Sequence, residues 1–340
     1  MESHSVPVPV LVVGTGFIAA QHAAAIHAEP RLELAGMVDI DPARAAAASR
    51  ANGGVPAFTD LAAALAATGA GGCVVCTPND THAGIALQVA EAGAHLLVEK
   101  PLATGVAGAR RAVEAFAAAG RVLMPAHSHR YYDYARTVRD VLRTGELGTV
   151  GLVRLSILGG WIWPDWRGWM LDPVRSGGHA LHNGVHLLDL VTWWTADTPE
   201  TVYARGRRQT AAELGVHDYL EMTVSFAGGA TAVCEMSRGH RPASLARRDV
   251  MVAGTGGILT LPWDGEAGTV TDEAGTALLP PGGTDGFAAQ ISAWADAVTG
   301  GPPTVTGADG LLAVAMGVAA ERSIASGAPV RVADVLKEAP

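Results

Sequence analysis

Two parts of the sequence have residue types and spacings suited to chemistry. The first is Gly14-Thr15-Gly16-Phe17-Ile18-Ala19, a G-x-G-x-x-A loop between a hydrophobic run and an alanine-rich stretch of helical period. Gly14 permits a tight turn, Gly16 lets the backbone approach a pyrophosphate, and Ala19 keeps a helix close to a sheet. The unpaired amides of a helix starting at Phe17 and Ile18 then face the phosphate charge. Asp39 ends the next hydrophobic run, where a carboxylate can accept both hydroxyls of an adenosine ribose. A 2′-phosphate beside that carboxylate would meet like charge, so NAD is favoured over NADP, while nearby Arg44 leaves NADP use open. Asp41 reads as the N-cap of a helix that begins at Pro42.

The second part is rich in histidine and tryptophan. His179, His182, His186 and Asp189 fall on one face of a continuous helix. Two histidines four apart can chelate zinc, but the glutamate of His-Glu-x-x-His is missing and Gly184 interrupts the helix, so no metal is expected. Upstream, Trp161, Trp163, Trp166 and Trp169 surround Asp165 and Arg167. Indole faces stack on the C–H faces of sugars while charged groups take the hydroxyls. This makes Trp163, Trp166 and Arg167 candidates for ligand contact, with interface packing the other reading of each tryptophan. Arg167 is also a candidate for the cofactor carboxamide. Further polar candidates are His127, His129 and Arg130, and Arg238 and His240 after an expected strand; Arg130 and His240 are retained as substrate candidates.

These residues must be held by elements, and the elements change character along the chain. Expected strands at 8–13, 34–39, 73–77, 95–98 and 122–125 alternate with expected helices at 18–28, 42–51, 61–66, 81–92 and 105–119, the pattern of a doubly wound α/β unit with a parallel sheet. After His127 alternating segments at 151–158, 219–226, 229–236 and 248–252 predict a large, mostly antiparallel, open-faced sheet, and 287–299 and 309–326 return to helix, making an α+β half. The resulting division is a dinucleotide-binding domain over 1–126 and an α+β domain over 127–340, to which the resemblance described below assigns substrate binding and oligomerisation. Cys73 and Cys76 lie three apart on one strand, facing opposite sides, and read as core thiols rather than a redox or zinc pair.

Over 340 residues the chain is 49% hydrophobic and 17% charged with a net charge of −9, enough apolar chain for two folded domains. The charge is acidic and the basic residues are scattered, which excludes a nucleic-acid partner. No run approaches the roughly 20 apolar residues of a membrane span. Residues 1–9 lack the features of a secretory signal, so a cytoplasmic location is expected.

Three further segments carry a family resemblance: Thr77-Pro78-Asn79-Asp80-Thr81-His82, Glu99-Lys100-Pro101, and Gly177-Gly178 followed by His186 and Asp189. In this order the chain resembles the glucose–fructose oxidoreductase, inositol dehydrogenase and rhizopine-catabolism (Gfo/Idh/MocA) family over nearly its whole length. The resemblance implies that Thr77, Pro78, Asn79 and His82 line the dinucleotide, that Glu99 holds the nicotinamide ribose, that Lys100 reaches the reacting hydroxyl, and that His186 is the acid/base. Without it Lys100 would read as a solvated surface lysine. Burial beside a positive ring should lower the Lys100 pKa, and an unperturbed histidine near neutrality suits proton transfer.

The chain departs from the family at one position. Where an aspartate is expected four residues before the histidine, it carries His182, which supplies no fixed negative charge. His182 can contact a substrate hydroxyl, share proton transfer with His186, or be packed; Asn183 beside it is a further substrate candidate. The leading expectation is an NAD(P)-dependent dehydrogenase acting on a secondary alcohol of a sugar, sugar derivative or cyclitol. An NAD-cycling lyase or glycoside-cleaving enzyme and a non-catalytic dinucleotide sensor are the alternatives. A homodimer or homotetramer through the C-terminal sheet is expected.

Overall fold

The computed structural model describes residues 6–160, 168–208, 215–240, 242, 244, 246–262, 267–279 and 283–338. The first half forms strands β1 (Val8–Val13), β2 (Leu32–Val38), β3 (Ala57–Phe58), β4 (Gly72–Val75), β5 (His95–Glu99) and β6 (Leu123–Ala126). They pair in parallel in the order β3-β2-β1-β4-β5-β6. Helices α1 (Phe17–Ala28), α2 (Pro42–Ala51), α3 (Leu61–Thr68), α4 (His82–Glu91) and α5 (Val106–Ala119) connect them. This order reverses direction between β1 and β4, and in such sheets ligands bind in the crevice at that switch point.

Local chemistry sets the boundaries. The Asp41 side chain accepts from the amides of Ala43 and Arg44, and Pro42 occupies the first turn of α2. Cys73 belongs to one buried cluster and Cys76 to another, so the two thiols lie on opposite sides of the sheet, and burial pushes Cys73 up to about 12. The expected helix 81–92 begins instead as a 3₁₀ turn, Asn79–Thr81, before α4.

The second half opens with helix α6 (Asp133–Thr144) and strand β7 (Val150–Gly160), followed by the short α7 (Pro173–Ser176) and then α8 (Val185–Thr195). Strands β8 (Pro199–Arg207), β9 (Tyr219–Phe226), β10 (Thr231–His240), β11 (Ala246–Gly254), β12 (Gly257–Pro262), β13 (Gly268–Asp272) and β14 (Gly275–Leu279) come next. Helices α9 (Gly286–Val298) and α10 (Gly307–Ser326), strand β15 (Val330–Arg331) and helix α11 (Val332–Leu336) complete it. The strands form one sheet, β14-β13-β12-β11-β7-β10-β9-β8-β15, antiparallel throughout except between β7 and β10. That parallel pair was not legible in alternation alone, because period two is the same for either direction.

Inward residues of the sheet, such as Val153, Leu155, Met222, Ala232, Val250 and Val252, are buried under α8 and α10. Thr306 and Asp309 form a capping box that starts α10. Helix α9 returns to the first sheet: the Trp294 ring lies 2.8 Å from where a Cβ on Gly72 would stand. Among the described residues, no helix is long and apolar enough to cross a membrane.

Candidate active site

The glycine loop is built as its residue types require. Gly14 has φ +85°, and a Cβ there would meet the Cys76 carbonyl carbon and oxygen at 2.9 Å, so only glycine lets β1 turn against the end of β4. A Cβ at Gly16 would meet only Arg44, at 3.8 Å, so the loop surface is open for a phosphate. Helix α1 begins at this loop without a side-chain cap, its N-terminal end turned to where an anion would be favoured. Phe17 is largely exposed and Ile18 half-buried at that end.

Asp39 is buried beside this loop. It accepts from the Thr15 amide at 2.9 Å, the Thr15 hydroxyl at 2.7 Å and the Asp41 amide at 3.0 Å, with Arg44 Nε at 3.7 Å. Burial alone would raise its carboxyl; these donors outweigh burial and hold it below the usual carboxylate range. Open loop, uncapped helix start and ionised Asp39 together fit a dinucleotide.

The Thr77–His82 segment divides in two. The Thr77 methyl abuts Gly14, and its hydroxyl accepts from Thr81 Oγ1 at 2.7 Å. Pro78 precedes the 3₁₀ turn, and its carbonyl also accepts from Thr81. His82 is fully buried, its ring nitrogens 2.8 Å from the Thr77 carbonyl and 2.7 Å from the Pro101 carbonyl. It ties the two loops together at the foot of the segment expected to line the dinucleotide. The Asn79 amide nitrogen donates to the Ser176 carbonyl at 2.8 Å and to His182 Nδ1 at 3.2 Å, joining the first sheet's loops to the histidine segment.

Glu99 and Lys100 end β5, and a cis Lys100-Pro101 peptide turns the chain. Glu99 accepts from His22 Nε2 at 2.8 Å, and the ring of His22 on α1 lies edge-on to Phe287 at 5.2 Å. Burial would raise the Glu99 carboxyl, but His22, Lys100 and His82 hold it below the ordinary value. His22 was missed in the sequence because a helix histidine carries no local signal of its partner.

Lys100 Nζ donates to the His182 carbonyl at 2.6 Å. That carbonyl sits in a π turn, Ala180–Gly184, which runs directly into α8. Gly184 therefore widens the helix rather than interrupting it as expected, and such turns shift the hydrogen-bond register where a site needs a carbonyl. A Cβ on Gly184 would stand 3.0 Å from the Met222 methyl, so the turn packs tightly on β9. Burial pushes the Lys100 ammonium down, Glu99 opposes the fall and Arg238 adds to it, leaving the group at about 8.

His186 and His182 follow on this segment. His186 is buried, its ring centroid 4.2 Å from that of His129, and its Nδ1 has no hydrogen-bond partner among the described residues. Burial first, then His129 and Lys100, drives its pKa well below the ordinary histidine value. This corrects the expectation of a base titrating near neutrality: the ring is neutral at pH 7. His182 is depressed in the same way, by burial and then Lys100. Because His182 Nδ1 accepts from Asn79, its Nε2 carries the hydrogen. The Trp169 and His182 rings meet at right angles with centroids 5.3 Å apart, and Asn183 is buried on the same turn.

The Gly177-Gly178 pair seats a carboxylate. Gly178 has φ +89°, and a Cβ there would stand 2.3 Å from Glu321 Oε1, which accepts from the Ala180 amide at 2.7 Å. Burial raises Glu321 to about 6. A folded-state pKa above the unfolded one is a stability contribution present in acid and lost as pH rises through 6. Glu321→Gln keeps the acceptor without the charge, so it should stabilise the fold by about 2 kcal/mol at pH 7.5 and by almost nothing at pH 4.5. Paired urea denaturation at the two pH values checks this, and equal effects at both would refute it.

Other candidates lie elsewhere. Arg130 is buried in a fork on Asp189, 2.8 and 2.6 Å, and reaches Asp309 at 3.2 Å, with His127 Nδ1 3.7 Å from Asp189. It links α8 and α10. Arg130→Met should cost about 3–5 kcal/mol by leaving Asp189 buried and unpaired, while NADH affinity of the folded protein stays the same; thermal melts and NADH fluorescence titration separate the two. His240 contacts Ser237, and its ring lies tilted against Tyr219 with centroids 6.1 Å apart. Trp163, Trp166 and Arg167 fall outside the described residues, as does Trp161. Among the described residues no group of three His, Cys, Asp or Glu side chains is placed to hold a metal ion.

The sequence matches the family described as "Oxidoreductase family, NAD-binding Rossmann fold" over residues 8–127 and the Gfo/Idh/MocA C-terminal domain over residues 135–260. The chain belongs to the Gfo/Idh/MocA oxidoreductase family. It is 28% identical to a 1,5-anhydro-D-fructose reductase of Ensifer adhaerens over 87% of this chain and 90% of that one. It is 25% identical to an inositol 2-dehydrogenase of Rhizobium meliloti over 95% and 98% of the two. Among solved structures, GenD2 from gentamicin A biosynthesis in complex with NAD superposes with a TM-score of 0.84 at 29% identity, covering 97% of each chain. As a member of this family the protein binds NAD.

Proposed function

We propose that the protein is an NAD-dependent dehydrogenase that oxidises a secondary alcohol of a sugar, sugar derivative or cyclitol. The observation that carries this reading is the 2.6 Å bond from Lys100 Nζ, at the end of a dinucleotide-sheet strand, to the carbonyl of His182 on the helix that bears His186. Bound NAD supplies the hydride acceptor. Lys100, poised at about 8, takes the hydroxyl proton, since a base works best with a pKa near the operating pH. The neutral His186 ring, with Nδ1 unpartnered among the described residues, hydrogen-bonds and orients the same hydroxyl. Thus the acid/base role moves from His186 toward Lys100. Asp39 selects NAD, and Arg44, 3.7 Å from it, tempers the rejection of NADP.

In this reading residues 1–126 hold the cofactor and 127–340 the substrate. The open face of the large sheet, with half-buried Leu152, Val233, Met251 and Ile258, meets a second copy. The test is absorbance at the NADH band with a panel of sugars and inositols. Net NADH should accumulate with one equivalent of ketone. Substrate loss without net NADH would establish an NAD-cycling lyase instead, and NAD binding without conversion of any alcohol would leave a sensor.

A further inference from the structure

The π turn Ala180–Gly184 starts without a cap from the residue before it, because the His179 side chain bonds none of its amides. Ala180, its first residue, is fully buried, so its amide needs an acceptor from elsewhere in the fold. Helix α10 supplies it: Glu321 Oε1 accepts from that amide at 2.7 Å. The carboxylate reaches it only across Gly178, where any Cβ would overlap the carboxyl group. One turn earlier on α10, Gly317 makes room for the next residue of the turn. A Cβ on Gly317 would stand 2.8 Å from Leu181 Cδ2, and one on Gly177 2.8 Å from Leu181 Cδ1. Two successive residues of the turn are therefore held by α10, Ala180 by a bond and Leu181 by packing. The third, His182, donates its amide to the Gly178 carbonyl at 2.9 Å and offers its own carbonyl to Lys100 Nζ at 2.6 Å. A short path thus runs from Glu321 through the turn to the ammonium. Burying a carboxylate costs stability, and what it gains at this place is a charge-assisted bond, shorter and stronger than a neutral acceptor makes.

We propose that Glu321 is a positioning residue for the dehydrogenase: its bond to Ala180 fixes the π turn, and through it the carbonyl that aims Lys100 at the reacting hydroxyl. This rests on the dehydrogenase reading, so the test includes a readout that needs no turnover. Full-length wild type, Glu321→Ala and Glu321→Gln are acetylated with acetic anhydride between about pH 6 and 11, a span that brackets a perturbed and an ordinary lysine. Mass spectrometry counts the label at half-buried Lys100 against that at Lys337, the other lysine of the chain, which is exposed. Melting temperature, NAD affinity and kcat are measured alongside, the last with whichever sugar or inositol yields NADH. A carbonyl acceptor favours the ammonium, so its loss in the Ala variant should bring the Lys100 labelling midpoint about half a unit or more below that of the wild type. At pH 9, where the lysine is mostly neutral in every variant, kcat should still fall about tenfold or more through misorientation, with NAD affinity within about twofold. The Gln variant keeps an acceptor for Ala180, so it should hold the midpoint and restore kcat to within about threefold. Glu321→Met fills the same space without an acceptor and gives the same readings if the Ala variant does not fold. An unchanged midpoint, or an unchanged kcat in an active enzyme, overturns the proposal whatever happens to the melting temperature. A shifted midpoint in a protein that makes NADH from no alcohol would instead overturn the dehydrogenase reading and leave the link from Glu321 to Lys100 standing.

Discussion

Lys100→Ala should lower kcat by about 10²–10⁴-fold, the usual worth of a positioned proton acceptor, while NAD affinity changes little. Lys100 is held at about 8 chiefly by burial. Only its neutral form accepts a proton, so kcat/KM for alcohol oxidation should rise tenfold per pH unit below about 8 and level off above it. Burial holds His186 well below neutrality, so no second limb belongs to it between pH 6 and 8. The Ala variant should lose both rate and limb. Lys100→Arg keeps a cation but cannot release its proton near neutrality, so it should be as slow as the Ala variant. An active Arg variant would show that the charge matters and the proton transfer does not. The pH–rate profiles of the three proteins, with NAD binding measured alongside, decide between these outcomes.

How much of this site the sequence carried depends on the distance over which each signal acts. Gly14, Gly16 and Asp39 were legible because turn geometry and a strand end are local requirements, and Gly14 meets its own with a positive φ and no room for a Cβ. Lys100 and His186 were legible only through family resemblance, since nothing near either residue announces that Lys100 bonds a carbonyl on the other's helix. The links that escaped share one cause. Asn79, His82 and Arg130 are polar residues beside a site, and their partners at Ser176, Pro101 and Asp189 lie 97, 19 and 59 positions away. A local pattern identifies a donor but not what it donates to. His22 behind Glu99 and Glu321 behind Gly178 were hidden for the same reason. The π turn escaped because a glycine inside a helical pattern reads as an interruption, whereas here it lets the widened turn pack on Met222.

His182→Asp tests the charge logic of the cleft directly. Asn79 donates to the wild-type ring and Lys100 to the carbonyl of the same residue, so a carboxylate at this position would stand close to the ammonium. An opposite charge at that range favours the charged lysine and works against the burial that now depresses it. The alkaline limb should therefore move from about 8 toward the ordinary lysine range, with turnover at pH 7 falling about tenfold for each unit of that movement and recovering at higher pH. His182→Asn is the control: it removes the ring without adding charge, and its limb should stay near 8. A limb that stays put there would mean that residue 182 and Lys100 are not electrically coupled, and that the missing carboxylate is not what leaves the lysine ready to accept a proton.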